Sequence, residues 1–161
     1  MDSLKKLIEI LVLMVDAHTR LLELTKEKRN VLIAGDHQSL FNITHRENSF
    51  AMEIEKLEVQ RKQFAKEHLE KNGYAGISFT LEEIVQLQDN TKIKNTLNTI
   101  AKKLRSLVQE IANINKGNQQ LIETALSYLN YSIGMFVQKE PDVGYGPKSK
   151  NGYARLLDAK V

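Results

Sequence analysis

IKNTLNTIAKKLRSLVQEIANINKGNQQLIETALSYLNYSIGMF, residues 93–136, is the stretch that decides the fold. Ile93, Leu97, Ile100, Leu104, Leu107, Ile111, Ile114, Asn118, Leu121, Ala125, Tyr128, Ser132 and Met135 follow one another at alternating steps of four and three residues. That spacing sets side chains along one face of an α-helix. The two prolines of the chain, Pro141 and Pro147, lie beyond this stretch, so no ring breaks its backbone hydrogen bonds. The spacing predicts one helix from residue 91 to about 137, and at 1.5 Å per residue it is about 70 Å long. Up to Ile114 the apolar stripe is narrow. Beyond Asn118 a second row, Ile122, Leu126, Leu129, Ile133 and Phe136, runs beside Leu121, Ala125 and Tyr128. A face that wide needs more than one neighbour, supplied either by the first helix of the chain or by a partner protein. Gly117, at the change, costs about 1 kcal/mol relative to Ala inside a helix and marks where a bend would fall.

Immediately upstream, Thr80 and Glu83 have the spacing of a capping box, and Phe79 and Ile84 that of a hydrophobic staple. They predict a short helix, after which Asp89 or Asn90 restarts the chain. Before it, Asn72 and Gly73 end a helix expected over residues 37–71 and open a loop that reaches Ser78. The stripe of that helix is Leu40, Ile43, Phe50, Ile54, Leu57 and Phe64, interrupted by Glu47, Arg61 and His68. A first helix is expected over residues 4–33, with Leu4, Ile8, Leu11, Val15, His18, Leu22 and Leu32 on one face. Gly35 then suits a left-handed cap and Asp36 the N-cap of the next helix. So short a link makes an antiparallel hairpin.

The expected fold is all-α: an antiparallel bundle or coiled coil of three long helices plus one short helix, with a flexible C-terminal tail. Residues 1–138 form a single helical domain. Residues 139–161 differ in kind, with Pro141, Gly144, Gly146, Pro147 and Gly152 and little apolar periodicity. In that tail Tyr145, Tyr153, Leu156 and Leu157 are isolated anchors.

Composition narrows the function. A chain of 161 residues, 42% hydrophobic, can bury one core. Its 23 basic and 20 acidic residues are interspersed, which reads as a solvated surface rather than a nucleic-acid footprint. Cysteine is absent, which excludes disulfides and Cys-type zinc sites and favours a cytoplasmic location. Lys5 and Lys6 before the apolar residues 7–15 imitate a signal peptide, but Glu9 interrupts the run and the helical pattern continues past it. The run is also far short of the roughly 20 residues that span a bilayer, so no integral membrane segment is expected.

The sequence holds no recognisable catalytic or metal-binding pattern. His18, His37, His45 and His68 are scattered without a helical metal-site spacing, and the carboxylate pairs Glu53 and Glu55, Glu67 and Glu70, and Glu82 and Glu83 sit among lysines. Gly73 and Gly76 flank Tyr74 without the lysine and hydroxyl of a phosphate loop. The expectation is a non-enzymatic binding protein with no catalytic residue, no metal and no cofactor.

Taken in order, these elements resemble the flagellar export chaperones of the FlgN family. The resemblance rests on the hairpin tip Gly35-Asp36, on Leu81-Glu82-Glu83-Ile84 before the long helix, and on Asn115, Asn118 and Leu121-Ile122 in its final part. Tyr145-Gly146 is similar to a Tyr-Gly that follows the last helix in that family, and Leu157-Asp158-Ala159-Lys160 resembles its closing residues. The resemblance implies a cytoplasmic chaperone for the hook-filament junction proteins, FlgK-like and FlgL-like, which binds their C-terminal segments before type III export. It places substrate contacts on Leu121, Ile122, Ala125, Leu126, Tyr128, Leu129, Ile133 and Phe136, and docking to the export gate on Tyr145. Amphipathic terminal helices of such substrates would aggregate if left free, and an apolar helix groove receives them through anchors at i, i+3, i+4 and i+7. Two other readings of the same face are a structural coiled-coil protein that self-associates through the seam and a regulatory protein that sequesters a transcription factor.

Overall fold

The computed structural model describes residues 2–76 and 79–139. Among them all regular structure is helical: α1 (Asp2–Ala34), α2 (His37–Lys71), α3 (Leu81–Gln86) and α4 (Thr91–Lys139). The expected architecture of three long helices and one short one is the one that forms. The tail from residue 140 onward, Tyr145 included, and Ile77 and Ser78 of the loop after α2 lie outside the described residues.

Local chemistry sets the helix ends. Gly35 has φ +69°, a conformation that glycine adopts without a Cβ clash. There its amide donates to the Leu32 carbonyl at 3.3 Å, and the Asp36 amide donates to that of Val31 at 3.2 Å. The Asp36 carboxylate accepts from the Ser39 hydroxyl at 2.5 Å and the Ser39 amide at 3.1 Å, and these bonds hold its carboxyl below the ordinary range. At α3 the capping box is complete. Thr80 Oγ1 accepts from the Glu83 amide at 3.3 Å while the Glu83 carboxylate accepts from the Thr80 amide at 2.9 Å. Phe79 and Ile84 both join the core, as a staple requires. Of the two candidates for the α4 cap it is Asn90 that acts, its Oδ1 accepting from the Lys92 amide at 2.9 Å. α4 then continues through Gly117, so the bend that glycine would allow does not interrupt the element.

The chain divides into two compact units, Met1–Asn118 and Gln119–Val161. In the first, α1 and α2 form the antiparallel hairpin: Arg20 meets Glu53 near one level and Lys28 meets Glu47 nearer the tip. α4 enters the same core parallel to α1. Leu97 packs with Leu4, Leu7 and Leu11, Leu107 and Ile111 pack with Leu22, and Asn118 Nδ2 donates to the Thr25 carbonyl at 3.2 Å. The Asn118 Oδ1 is buried without a partner, so it is the Nδ2 donor that pins register, because any slip would strand it too.

The α1 stripe differs from the expected one. Leu7, Ile10, Met14, Ala17, Leu24 and Thr25 are buried along with Leu4, Leu11 and Leu22, whereas Ile8, Val15, His18 and Leu32 are only half-buried. A single four-three row describes a helix with one neighbour, but α1 packs against both α2 and α4, and two contacts need a broader face. The polar residues interrupting the α2 stripe are all partnered. Lys28 reaches Glu47 at 3.0 Å, Arg61 reaches Glu58 at 2.6 Å, and the buried His68 Nε2 lies 3.1 Å from Gln88 Nε2.

That last contact defines a pH response. Gln88 Nε2 also donates to the Ile84 carbonyl at 2.9 Å, so the amide is the donor and His68 Nε2 the acceptor, which requires a neutral ring. Burial, reinforced by nearby positive charge that includes Lys71, pushes the His68 pKa below its ordinary value. The unfolded chain therefore binds the proton more tightly than the folded one. The stability contributed is full above the ordinary histidine pKa of about 6.5 and is lost as pH falls through it toward the lower folded value. Urea unfolding at neutral and mildly acidic pH should show the midpoint fall with acidification, and His68→Gln should flatten that fall. An equal slope in both chains would remove His68 as its source.

Candidate functional site

The second unit, within the described residues, is the last part of α4. Its sequence, QQLIETALSYLNYSIGMFV over residues 119–137, contains Glu123 as its one charged residue. Apolar groups at i, i+3, i+4 and i+7 carry it as a helix, while Gln119 Nε2 donates to Glu123 at 3.3 Å and Thr124 Oγ1 to the Gln120 carbonyl at 2.9 Å. Nothing charged remains to decorate the apolar rows.

Each residue expected at the site, apart from Tyr145 outside the described residues, lies on this helix. Leu121, Ile122, Leu126 and Ile133 are half-buried, and Ala125, Tyr128, Leu129 and Phe136 are exposed. Tyr128 and Phe136 expose 70% and 78% of their surface. At 100° per residue, Ile122, Leu126, Ile133 and Val137 form one edge, while Ala125, Tyr128, Leu129 and Phe136 form the surface beside it. Both edges are apolar.

Tyr131 and Met135 extend that surface, and both are exposed. Met135 stands in the heptad row, but Tyr131 falls about 40° outside it, and the four-three spacing does not include it. Its signal was composition: three aromatic residues, Tyr128, Tyr131 and Phe136, within nine positions of a chain only 6% aromatic. Tyrosine, with an apolar ring and a hydroxyl at its tip, suits a surface that alternates between water and a protein partner.

The arrangement offers a broad apolar contact surface. Among the described residues no group of three His, Asp or Glu side chains could hold a metal ion. A depression of about 640 Å³ on the other unit is lined by Thr91, Lys92, Asn95, Thr96, Thr99 and Ile100, a set with neither a general base nor a nucleophile–base pair. No described helix is long and apolar enough to cross a membrane.

Comparison with known proteins agrees with the order of elements. The family model described as FlgN protein matches residues 1–152. The Bacillus subtilis (strain 168) protein YvyG, itself uncharacterized, is 27% identical over 164 residues, with 99% of each chain covered. No solved structure matches.

Proposed function

The chain belongs to the FlgN family of non-enzymatic flagellar export chaperones, and from that premise we propose that it binds the C-terminal segments of the hook-filament junction proteins, FlgK-like and FlgL-like, and delivers them to the export gate. The binding surface in this reading is formed by Leu121, Ile122, Ala125, Leu126, Tyr128, Leu129, Ile133 and Phe136, with Tyr131 and Met135 widening it. The observation that carries it is the exposure of large apolar side chains along residues 121–136, where the helix holds a single charge. A contiguous apolar surface of this kind marks a docking site.

The proposed mechanism is helix-on-helix capture. An amphipathic substrate helix lays its own i, i+3, i+4 and i+7 side chains between the two apolar rows. The tyrosine hydroxyls stay at the rim, in water or on backbone carbonyls of the substrate. Ordering a free terminus costs several kcal/mol of the gross interaction, so affinity stays moderate and release at the export gate remains possible. The site of action is the cytoplasm, and Tyr145 is assigned the contact with the gate.

Co-purification tests the assignment. Full-length junction proteins should be retained by the chain, and versions lacking their C-terminal segments should not. Deleting residues 140–161 should leave this binding intact and lower secretion. Retention of the truncated substrates would sink the proposed mode of recognition, and loss of binding in the deletion would move Tyr145 out of its assigned role.

A further inference from the structure

The outer surface of α2 carries a second periodicity. Phe41, His45, Asn48, Met52, Glu55 and Val59 follow one another at alternating steps of four and three, and all six are exposed. Phe41, Met52 and Val59 expose 66%, 64% and 62% of their surface. At 100° per residue this row lies roughly opposite Ile43, Phe50 and Leu57, which face the core. The Phe41 ring meets His45 edge to face, with centroids 4.7 Å apart, so both stand in the row together. Single exposed apolar residues are ordinary. Three at heptad-compatible spacing on one face form a seam without a partner.

We propose that this face of α2 is a self-association surface that pairs antiparallel with the same face of a second copy, about a two-fold axis at residue 50. The chemistry of the row selects both the occupant and the direction. Written as a heptad, Phe41, Asn48 and Glu55 take position d and His45, Met52 and Val59 take position a, and antiparallel helices layer a against d. With the axis at residue 50, Phe41 meets Val59 of the second copy, His45 meets Glu55, and Asn48 meets Met52, each layer occurring twice as two-fold symmetry requires. A parallel pair would instead set Glu55 on Glu55 and His45 on His45, and like groups facing each other in a desolvated seam repel. A slip of one heptad sets Glu55 against Met52 or leaves Val59 unmatched. Only the antiparallel register about residue 50 pairs the carboxylate with the imidazole while setting Phe41 against Val59, and the layer of Asn48 on Met52 keeps the association reversible.

Sedimentation of the full chain from low to high micromolar concentration tests this. The mass should rise from 18.4 kDa toward twice that value. Phe41→Asp should weaken the association at least about tenfold, since it buries an unpaired carboxylate, while helical content stays unchanged. His45→Glu alone should weaken it, and His45→Glu with Glu55→Lys should restore it. Because the chain lacks cysteine, register is readable by oxidation: a mixture of His45→Cys and Glu55→Cys chains should cross-link, and neither should cross-link alone. A monomer at every concentration, self-cross-linking of either variant, or association abolished by Leu126→Asp with Leu129→Asp but indifferent to Phe41→Asp would each overturn the proposal.

Discussion

Leu126→Asp combined with Leu129→Asp is expected to lower affinity for the junction-protein segments by at least about 100-fold, because each carboxylate would cost about 2 kcal/mol or more in an apolar contact and 1.4 kcal/mol is tenfold. The two residues lie three positions apart on adjoining apolar edges of the helix, one half-buried and the other exposed, so one docked helix would cover both. Neither belongs to the core clusters that α1 forms with the other helices. Far-ultraviolet circular dichroism should therefore remain helical, and the thermal midpoint should move little. Titration calorimetry with the substrate segment checks the loss. Undiminished affinity in the folded double variant would remove residues 121–136 from the binding surface.

Leu11→Ala is the largest expected effect on stability. Leu11 is fully buried in the first third of α1, in the cluster that Leu57, Leu69 and Leu97 complete from the neighbouring helices. Truncation removes its transfer free energy and leaves a cavity that rigid helices cannot close, together about 3 to 4 kcal/mol. In a chain of this size that corresponds to a fall of roughly 10 °C in thermal midpoint. Val12 is the built-in control. It follows Leu11 directly and is half exposed, so Val12→Ala should stay within about 0.5 kcal/mol of the parent. Equal effects from the two substitutions would mean that α1 presents a different face to its neighbours.

What could be read from the sequence was what short-range chemistry controls. The Thr80–Glu83 box and the Gly35-Asp36 hairpin tip depend on residues within four positions of each other, and both form as their spacing requires. The α4 seam up to Asn118 was also legible, because one buried neighbour selects one stripe. The broader α1 face was not. Whether Ile8 or Leu7 turns inward depends on a third helix that arrives more than 80 residues later, and periodicity within α1 carries no record of it. His68 looked like an interruption because its partner, Gln88, lies 20 residues away on the far side of a loop. Of the candidate surface, the two aliphatic rows were visible from spacing. Tyr131 was not, since exposure rather than helical phase distinguishes it.

If residues 121–136 hold the substrate helix, site-specific photo-cross-linking will locate it there. A benzophenone side chain placed at Leu129 or Phe136, both exposed, should capture the C-terminal segment of a junction protein, and the same probe at the exposed Val12 of α1 should not. Capture at Val12 with Leu129 and Phe136 silent would place the substrate on α1 instead.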